Sequence, residues 1–207
     1  MTDPKPLPFK PGSLKGISEK AILIHHDKLY AGYVKKAGEI SEKLKGKVEA
    51  IKSGEEVEGN ATYSELRALK SEETFATNGV YLHEWYFDVL GGDGAFEKAP
   101  ELVRAMTEKW GSLDVGLKYF SACGMAARGW SVLCWDIKDQ RLRHYNADAH
   151  NQGGIWGCVP IITLDCYEHA YFLDYGSDKK AYIEDFWKNL DWKKAEEFYL
   201  KVSKFAL

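Results

Sequence analysis

"VPIITLDCYEHAY", Val159–Tyr171, drives an apolar run into Asp165, Glu168 and His169. The β-branched half, "VPIITLD", reads as a core strand, and "EHAYFLDY" after it reads as a helix. Ionisable groups at the exit of a buried strand cost free energy unless something binds them. Asp165 and His169 are four residues apart, a spacing that one helical turn places on a single side. An oxygen donor and a nitrogen donor converging in this way make half of a metal site. The same spacing also suits Asp165 as a helix cap beside a half-buried surface histidine.

Upstream of this strand, "SVLCWDI" and "QRLRHYNA" flank the polar turn Lys138–Asp139, which predicts a hairpin. "APELVRAMTEKWGSLDVGLKYFSACGMA" before it predicts one or two short helices. "KAYIEDFWKNL" and "WKKAEEFYLKVSKF" predict two more after "EHAYFLDY".

The N-terminal half reads differently. "ISEKAILIHHDKLYAGYVKKAGEISEKLKG" predicts a long helix, with Ser18 as N-cap and Gly46 as stop. After the polar turn "KSGEEVEGN", a second helix is expected from "TYSELRALKSEE" through "TFATNGVYLHEWYFDVL". Gly79 inside it costs roughly 1 kcal/mol relative to alanine, so it marks a close approach or an interruption. The fold expected is α+β: an N-terminal α-helical hairpin, then an α/β domain with a small three-stranded antiparallel sheet. The boundary is placed between an N-terminal helical-hairpin domain, 1–92, and a C-terminal α+β domain, 93–207.

The bulk numbers narrow the function. A net charge of −3 over 207 residues gives no basic excess for nucleic acid or an anionic membrane. No stretch approaches the ~20 apolar residues of a membrane span. The proline-broken start "MTDPKPLPFKPGSLKG" lacks a secretory apolar run. Cys123, Cys134, Cys158 and Cys166 form no CxxC pair and no zinc-finger spacing, and they read as reduced thiols of a cytoplasmic protein, with a disulfide pair as the alternative.

His25 in "ILIHHDK" and His83 in "GVYLHEWYF" lie on apolar stretches of the two helices that should pair. Alone, each reads as a hydrogen-bonded core histidine. With Asp165 and His169 they make a His₃Asp set, which suits iron, manganese or zinc better than calcium or magnesium.

At this point the sequence resembles the iron/manganese superoxide dismutases. "HHDKLYAGYV" resembles their HHxKHHxxYV helix, "DCYEHAYFLDY" their DVWEHAYYLDY, and "YIEDFWKNLDW" the segment that follows. "GVYLHEWYF" and "ARGWSVL" stand where that family has its second-histidine helix and its GSGWxWL strand. "KPLPF" is similar to its proline-rich start. The resemblance covers nearly the whole chain, with its motifs in order.

The resemblance implies an oxidoreductase that converts superoxide to dioxygen and hydrogen peroxide. It implies one iron or manganese ion per subunit, either metal being acceptable, with His25, His83, Asp165 and His169 as ligands. Tyr33 matches the family's active-site tyrosine. The group beside the metal-bound solvent falls on His150 in "DAHNQGG", with Gln152 as the alternative if the loop slips, while Gly79 occupies the family's other position for that group. Trp130 and Tyr167 are expected to wall the cavity. Glu168 is expected to bridge to the partner's His169 in a homodimer, with a tetramer as the larger option. Leu29 and Phe172 depart from the family's histidine and tyrosine, so a polar contact across the subunit boundary becomes apolar. Lys28, Lys35 and Lys36 could steer superoxide, or simply form a solvated helix face. A zinc hydrolase and a non-catalytic metal-binding relative are the competing functions.

Overall fold

The computed structural model describes residues 3–205. Helix α1 (Glu19–Ile24), a π-helical turn (His25–Tyr30) and α2 (Ala31–Lys52) follow one another without a break. Ser18 caps the start, its Oγ accepting the Ala21 N–H at 3.1 Å. The stop expected at Gly46 is not there. Nothing lies within 4 Å of a Cβ built at Gly46, and its lysine and glutamate neighbours favour helix, so a single glycine is tolerated. The chain turns instead beyond Ser53, at Gly54, whose φ of +87° suits glycine just past a helix end.

The π turn sets the phase of the first helix. Within it the Ala31 N–H donates to the His26 carbonyl, five residues back. Eight residues of regular helix would leave His25 and Tyr33 about 80° apart around the axis. Looping out one residue reduces this to about 20°, so both side chains meet the same neighbour.

That neighbour is α3 (Glu65–Asp88), which packs along α2 and is capped by Ser64 Oγ, an acceptor for the Arg67 N–H at 3.1 Å. The chain leaving α3 is tied to the C-terminal half. The Gly92 N–H donates to the Asn189 carbonyl at 3.0 Å, and the Asp191 N–H to the Val89 carbonyl at 2.8 Å. Helices α4 (Pro100–Trp110) and α5 (Leu113–Ala126) come next.

The sheet is antiparallel, in the order β2-β1-β3, formed by β1 (Trp130–Asp136), β2 (Arg141–Ala147) and β3 (Cys158–Asp165). Every residue of β1 is buried, as a central strand covered on both faces requires. Asp136 Oδ1 closes the hairpin by accepting the N–H groups of Lys138 and Asp139, each at 3.0 Å. Helix α5 covers β1 and β2, while α3 and α8 (Trp192–Val202) pack on β3. Helices α6 (Glu168–Tyr175) and α7 (Lys179–Lys188) lie between β3 and α8 in the chain. Leu133, Ile161 and Ile162 are fully buried in this core, where each aliphatic side chain contributes about 1.5–3 kcal/mol.

Candidate metal centre

β3 delivers Asp165 as its last residue, directly opposite Trp130, the first residue of β1. Paired residues point to one face of a sheet, so Trp130 and Asp165 share the face nearest His83. Asp165 does not share a helical turn with His169, as spacing alone suggested. Its Oδ1 accepts the Tyr167 N–H at 2.9 Å, folding the chain from strand to helix, and His169 follows in the first turn of α6. The turn leaves Oδ2 free to face inward.

Three imidazoles converge on that oxygen. His25 Nε2 and His169 Nε2 each lie 3.0 Å from Asp165 Oδ2, and His83 Nε2 lies 3.7 Å from it. One ligand atom from each of the four residues falls within 4.8 Å of every other. His25, His83 and Asp165 are buried, whereas 26% of the His169 side chain is exposed.

The protons sort themselves around this carboxylate. His83 Nδ1 donates to the Gly79 carbonyl at 2.5 Å, which leaves Nε2 as a bare lone pair without a hydrogen-bond partner. Burial holds His83 neutral, its pKa pushed down to about 3 with the neighbouring His25 adding to the effect. Burial likewise lowers His25, against the Asp165 hydrogen bond that raises it. For His169, burial is outweighed by the charge and hydrogen bond of Asp165, and its pKa rises. Asp165 is the converse: burial alone would raise it, but His169 and His25 hold it well below the usual carboxylate range. An orphaned lone pair, two further imidazoles and one carboxylate oxygen form an N₃O donor set that fits iron or manganese.

A second layer of rings surrounds the four. Tyr33 lies 5.3 Å from His83 and 4.6 Å, edge-on, from His150, measured between ring centroids. Burial, with the Asp165 charge behind it, raises the Tyr33 phenol and keeps it protonated. Trp130 meets His83 edge-on at 5.1 Å, and Tyr167 stacks on His169 at 5.3 Å. His150 is buried, and its Nδ1 accepts the Trp130 Nε1–H at 2.9 Å. Indole only donates, so the proton of the neutral His150 ring sits on Nε2. Burial lowers the His150 pKa to about 4. Gln152 is exposed, its N–H closing a turn to the Ala149 carbonyl at 3.2 Å; the structure brings His150 and not Gln152 to the rings.

Gly79 resolves the choice the helix left open: it marks a close approach. A Cβ there would lie 2.8 Å from the Tyr33 ring. Glu168 is exposed beside His169, Leu29 is half-buried, and Phe172 is 57% exposed. Lys28 is exposed, while Lys35 and Lys36 both pair with Glu39.

Sequence reasoning passed over four further residues. Phe75 packs on His150 at 4.7 Å and Phe87 on His25 at 5.1 Å. Tyr86 lies 5.2 Å from His25, and its hydroxyl is 3.1 Å from that of Tyr182. The Tyr182 hydroxyl donates to the Asp165 carbonyl at 2.9 Å. Tyr182 opens "YIEDFWKNLDW", so the segment was visible in the sequence but the contact was not.

The chain is similar to proteins of one known family. A profile for "Iron/manganese superoxide dismutases, C-terminal domain" matches residues 98–198. An iron superoxide dismutase of Aquifex pyrophilus is 42% identical over 196 residues, covering 95% of this chain and 90% of the relative. One of Cupriavidus metallidurans, also named for iron, is 36% identical over 92% of both chains. A manganese superoxide dismutase of Haloarcula marismortui is 34% identical, covering 97% of this chain and 95% of that one.

Proposed function

This chain belongs to the iron/manganese superoxide dismutase family, and from that membership we propose how its own residues dismutate superoxide to dioxygen and hydrogen peroxide. His25, His83, Asp165 and His169 hold one iron or manganese ion. The observation that carries the assignment is His83 Nε2, a buried lone pair with no donor, 3.7 Å from Asp165 Oδ2. An unmet acceptor beside an anionic oxygen, with two more imidazoles alongside, is a place for a cation.

The bound metal supplies one-electron exchange with superoxide, giving and taking an electron in alternation. The protein supplies the rest. Forming hydrogen peroxide consumes two protons, and Tyr33 O–H and His150 Nε2–H are the donors assigned to their delivery. Trp130 holds His150 in the tautomer that donates. Gly79 has a double task, fixing His83 through its carbonyl and leaving room for the Tyr33 ring. Trp130 and Tyr167 keep bulk water from the ligand rings. In this reading residues 1–92 and 93–207 are two units that share the site, the first giving His25, Tyr33 and His83, the second Asp165, His169 and His150.

The enzyme works in the cytoplasm as a homodimer. The free state of all four cysteines supports a reducing compartment. Glu168 is exposed next to the partly exposed His169, where it can accept a hydrogen bond from the partner's His169. Leu29 and Phe172 give that boundary an apolar contact. Among the described residues, no helix is long and apolar enough to cross a membrane.

Metal analysis of protein from its own source, followed by separate reconstitution with iron and with manganese, tests the proposal. Dismutation should return with at least one metal and be absent from metal-free protein. A chain that binds stoichiometric metal and fails to accelerate superoxide decay with either would overturn it.

A further inference from the structure

Away from the metal centre, β1 and β3 bring two thiols together. Cys134 is opposite Pro160, and Cys158 is opposite Asp136. Residues two apart on a strand share a face, so Cys134 and Cys158 are diagonal neighbours on one side of the sheet. The register shifts between Leu133 and Cys134, a bulge that gives the backbone slack beside the pair. Each thiol shifts the titration of the other, as near neighbours do, and the Cys134 Sγ–H donates to the Arg143 carbonyl at 3.2 Å.

The two differ in access. Cys134 is fully buried; Cys158 is half-buried and borders a cavity of about 280 Å³ whose wall includes Tyr145, Trp156 and His150. The Arg143 guanidinium stands beside Cys158, held by Asp136 at 2.8 Å and Asp139 at 2.7 Å. Burial raises both thiols; at Cys158 the neighbouring Cys134 and the Arg143 charge work against burial, the Asp136 charge adds to it, and the net shift is upward. A partly exposed thiol beside a resolving partner is open to oxidation by peroxide, slowly here because burial keeps the thiolate fraction low and the Arg143 charge is shared with Asp136 and Asp139.

We propose that Cys134 and Cys158 form a redox site that hydrogen peroxide closes into a cross-strand disulfide, with Cys158 oxidised first. The Cys158 sulfur attacks one peroxide oxygen; the O–O bond breaks, water leaves, and a sulfenic acid remains. The Cys134 sulfur then displaces that hydroxyl as a second water and forms the S–S bond. Two thiols lose two electrons in total, and peroxide is reduced to two waters. The oxidant is the product of the function proposed above, on which the biological setting of this site rests. The disulfide ties together the two strands whose far ends carry Trp130 and Asp165. With both thiols raised by burial, closure is slow and reports sustained peroxide rather than each turnover.

The test adds hydrogen peroxide to the metal-loaded enzyme and follows intact mass and non-reduced peptides. The proposal expects a loss of two hydrogens per chain, a peptide joining Cys134 to Cys158, and reversal by dithiothreitol. In Cys134→Ser, dimedone should trap a sulfenic acid on Cys158, and Cys158→Ser should abolish the joined peptide. Cys123, whose neighbour is the Tyr119 hydroxyl, serves as the internal reference for a half-exposed thiol without a resolving partner. Free Cys134 and Cys158 at a peroxide dose that oxidises Cys123 would overturn the proposal. So would sulfinic acid at Cys158 with Cys134 still free. Because peroxide is added, neither result depends on dismutation, whose failure would instead sink the preceding reading.

Discussion

Gly79 and Tyr33 are packed so closely that a methyl group on the glycine would lie 2.8 Å from the tyrosine ring. The carbonyl of the same glycine accepts the His83 Nδ1 proton. Gly79→Ala therefore sets a gain in helix propensity of about 1 kcal/mol against an overpacking cost of about 1–3 kcal/mol. The expected outcome is a protein of equal or lower stability with Tyr33 displaced and dismutation reduced. A thermal melt and a superoxide decay assay check this; full activity with an undisturbed melt would contradict it.

The Trp130–His150 hydrogen bond gives a second test. His150→Ala leaves the buried Trp130 Nε1–H without an acceptor, at a cost of about 1–3 kcal/mol. His150→Gln keeps an acceptor and should recover most of that loss. Urea denaturation of both variants distinguishes them, and equal stability would mean the indole finds another partner. The metal midpoint potential should also move in both, because the group facing the site has changed.

Tyr182 reaches the site through backbone, its hydroxyl donating to the Asp165 carbonyl at 2.9 Å. Tyr182→Phe should cost about 0.5–1.5 kcal/mol and weaken metal affinity roughly 10–100-fold. Competition with a chelator measures the second effect. An affinity equal to wild type would reduce Tyr182 to a packing residue.

His144 lies on β2 opposite Leu133, packed by Phe120 and 3.1 Å from Ser131 Oγ. Burial lowers its pKa from 6.5 to about 4. Below pH 6.5 the unfolded chain takes up a proton that the folded one refuses, so stability falls as pH drops toward 4 and levels off below. The loss attributable to this ring is about 3 kcal/mol. His144→Gln should flatten the pH dependence over that window, measured as the difference in unfolding free energy from wild type. Parallel curves for the two proteins would assign the acid sensitivity elsewhere.

Much of this molecule is legible in its text, and the exceptions share a physical cause. Alternation, caps and turn residues announce Ser18 as a cap, the β1–β2 hairpin and the strand ending at Asp165, because each depends on neighbours in sequence. The π turn does not announce itself: one looped-out residue between His25 and Tyr33 leaves no mark in residue type. Gly46 looked like a stop, but a solvated glycine among helix formers breaks nothing. Asp165 and His169 converge through a strand-to-helix turn rather than along one helix, a distinction four-residue spacing cannot make. Tyr182 reaches Asp165 across the fold, and only tertiary structure brings the two together.

The central claim is that His25, His83, Asp165 and His169 close around a single redox-active ion. Metal content of purified wild type and of His83→Ala, both grown with iron and manganese supplied, tests it most directly. About one ion per chain should be present in wild type, and its loss should follow from His83→Ala in a protein that still folds. Full metal occupancy retained in that variant, with unchanged metal spectra, would contradict the account.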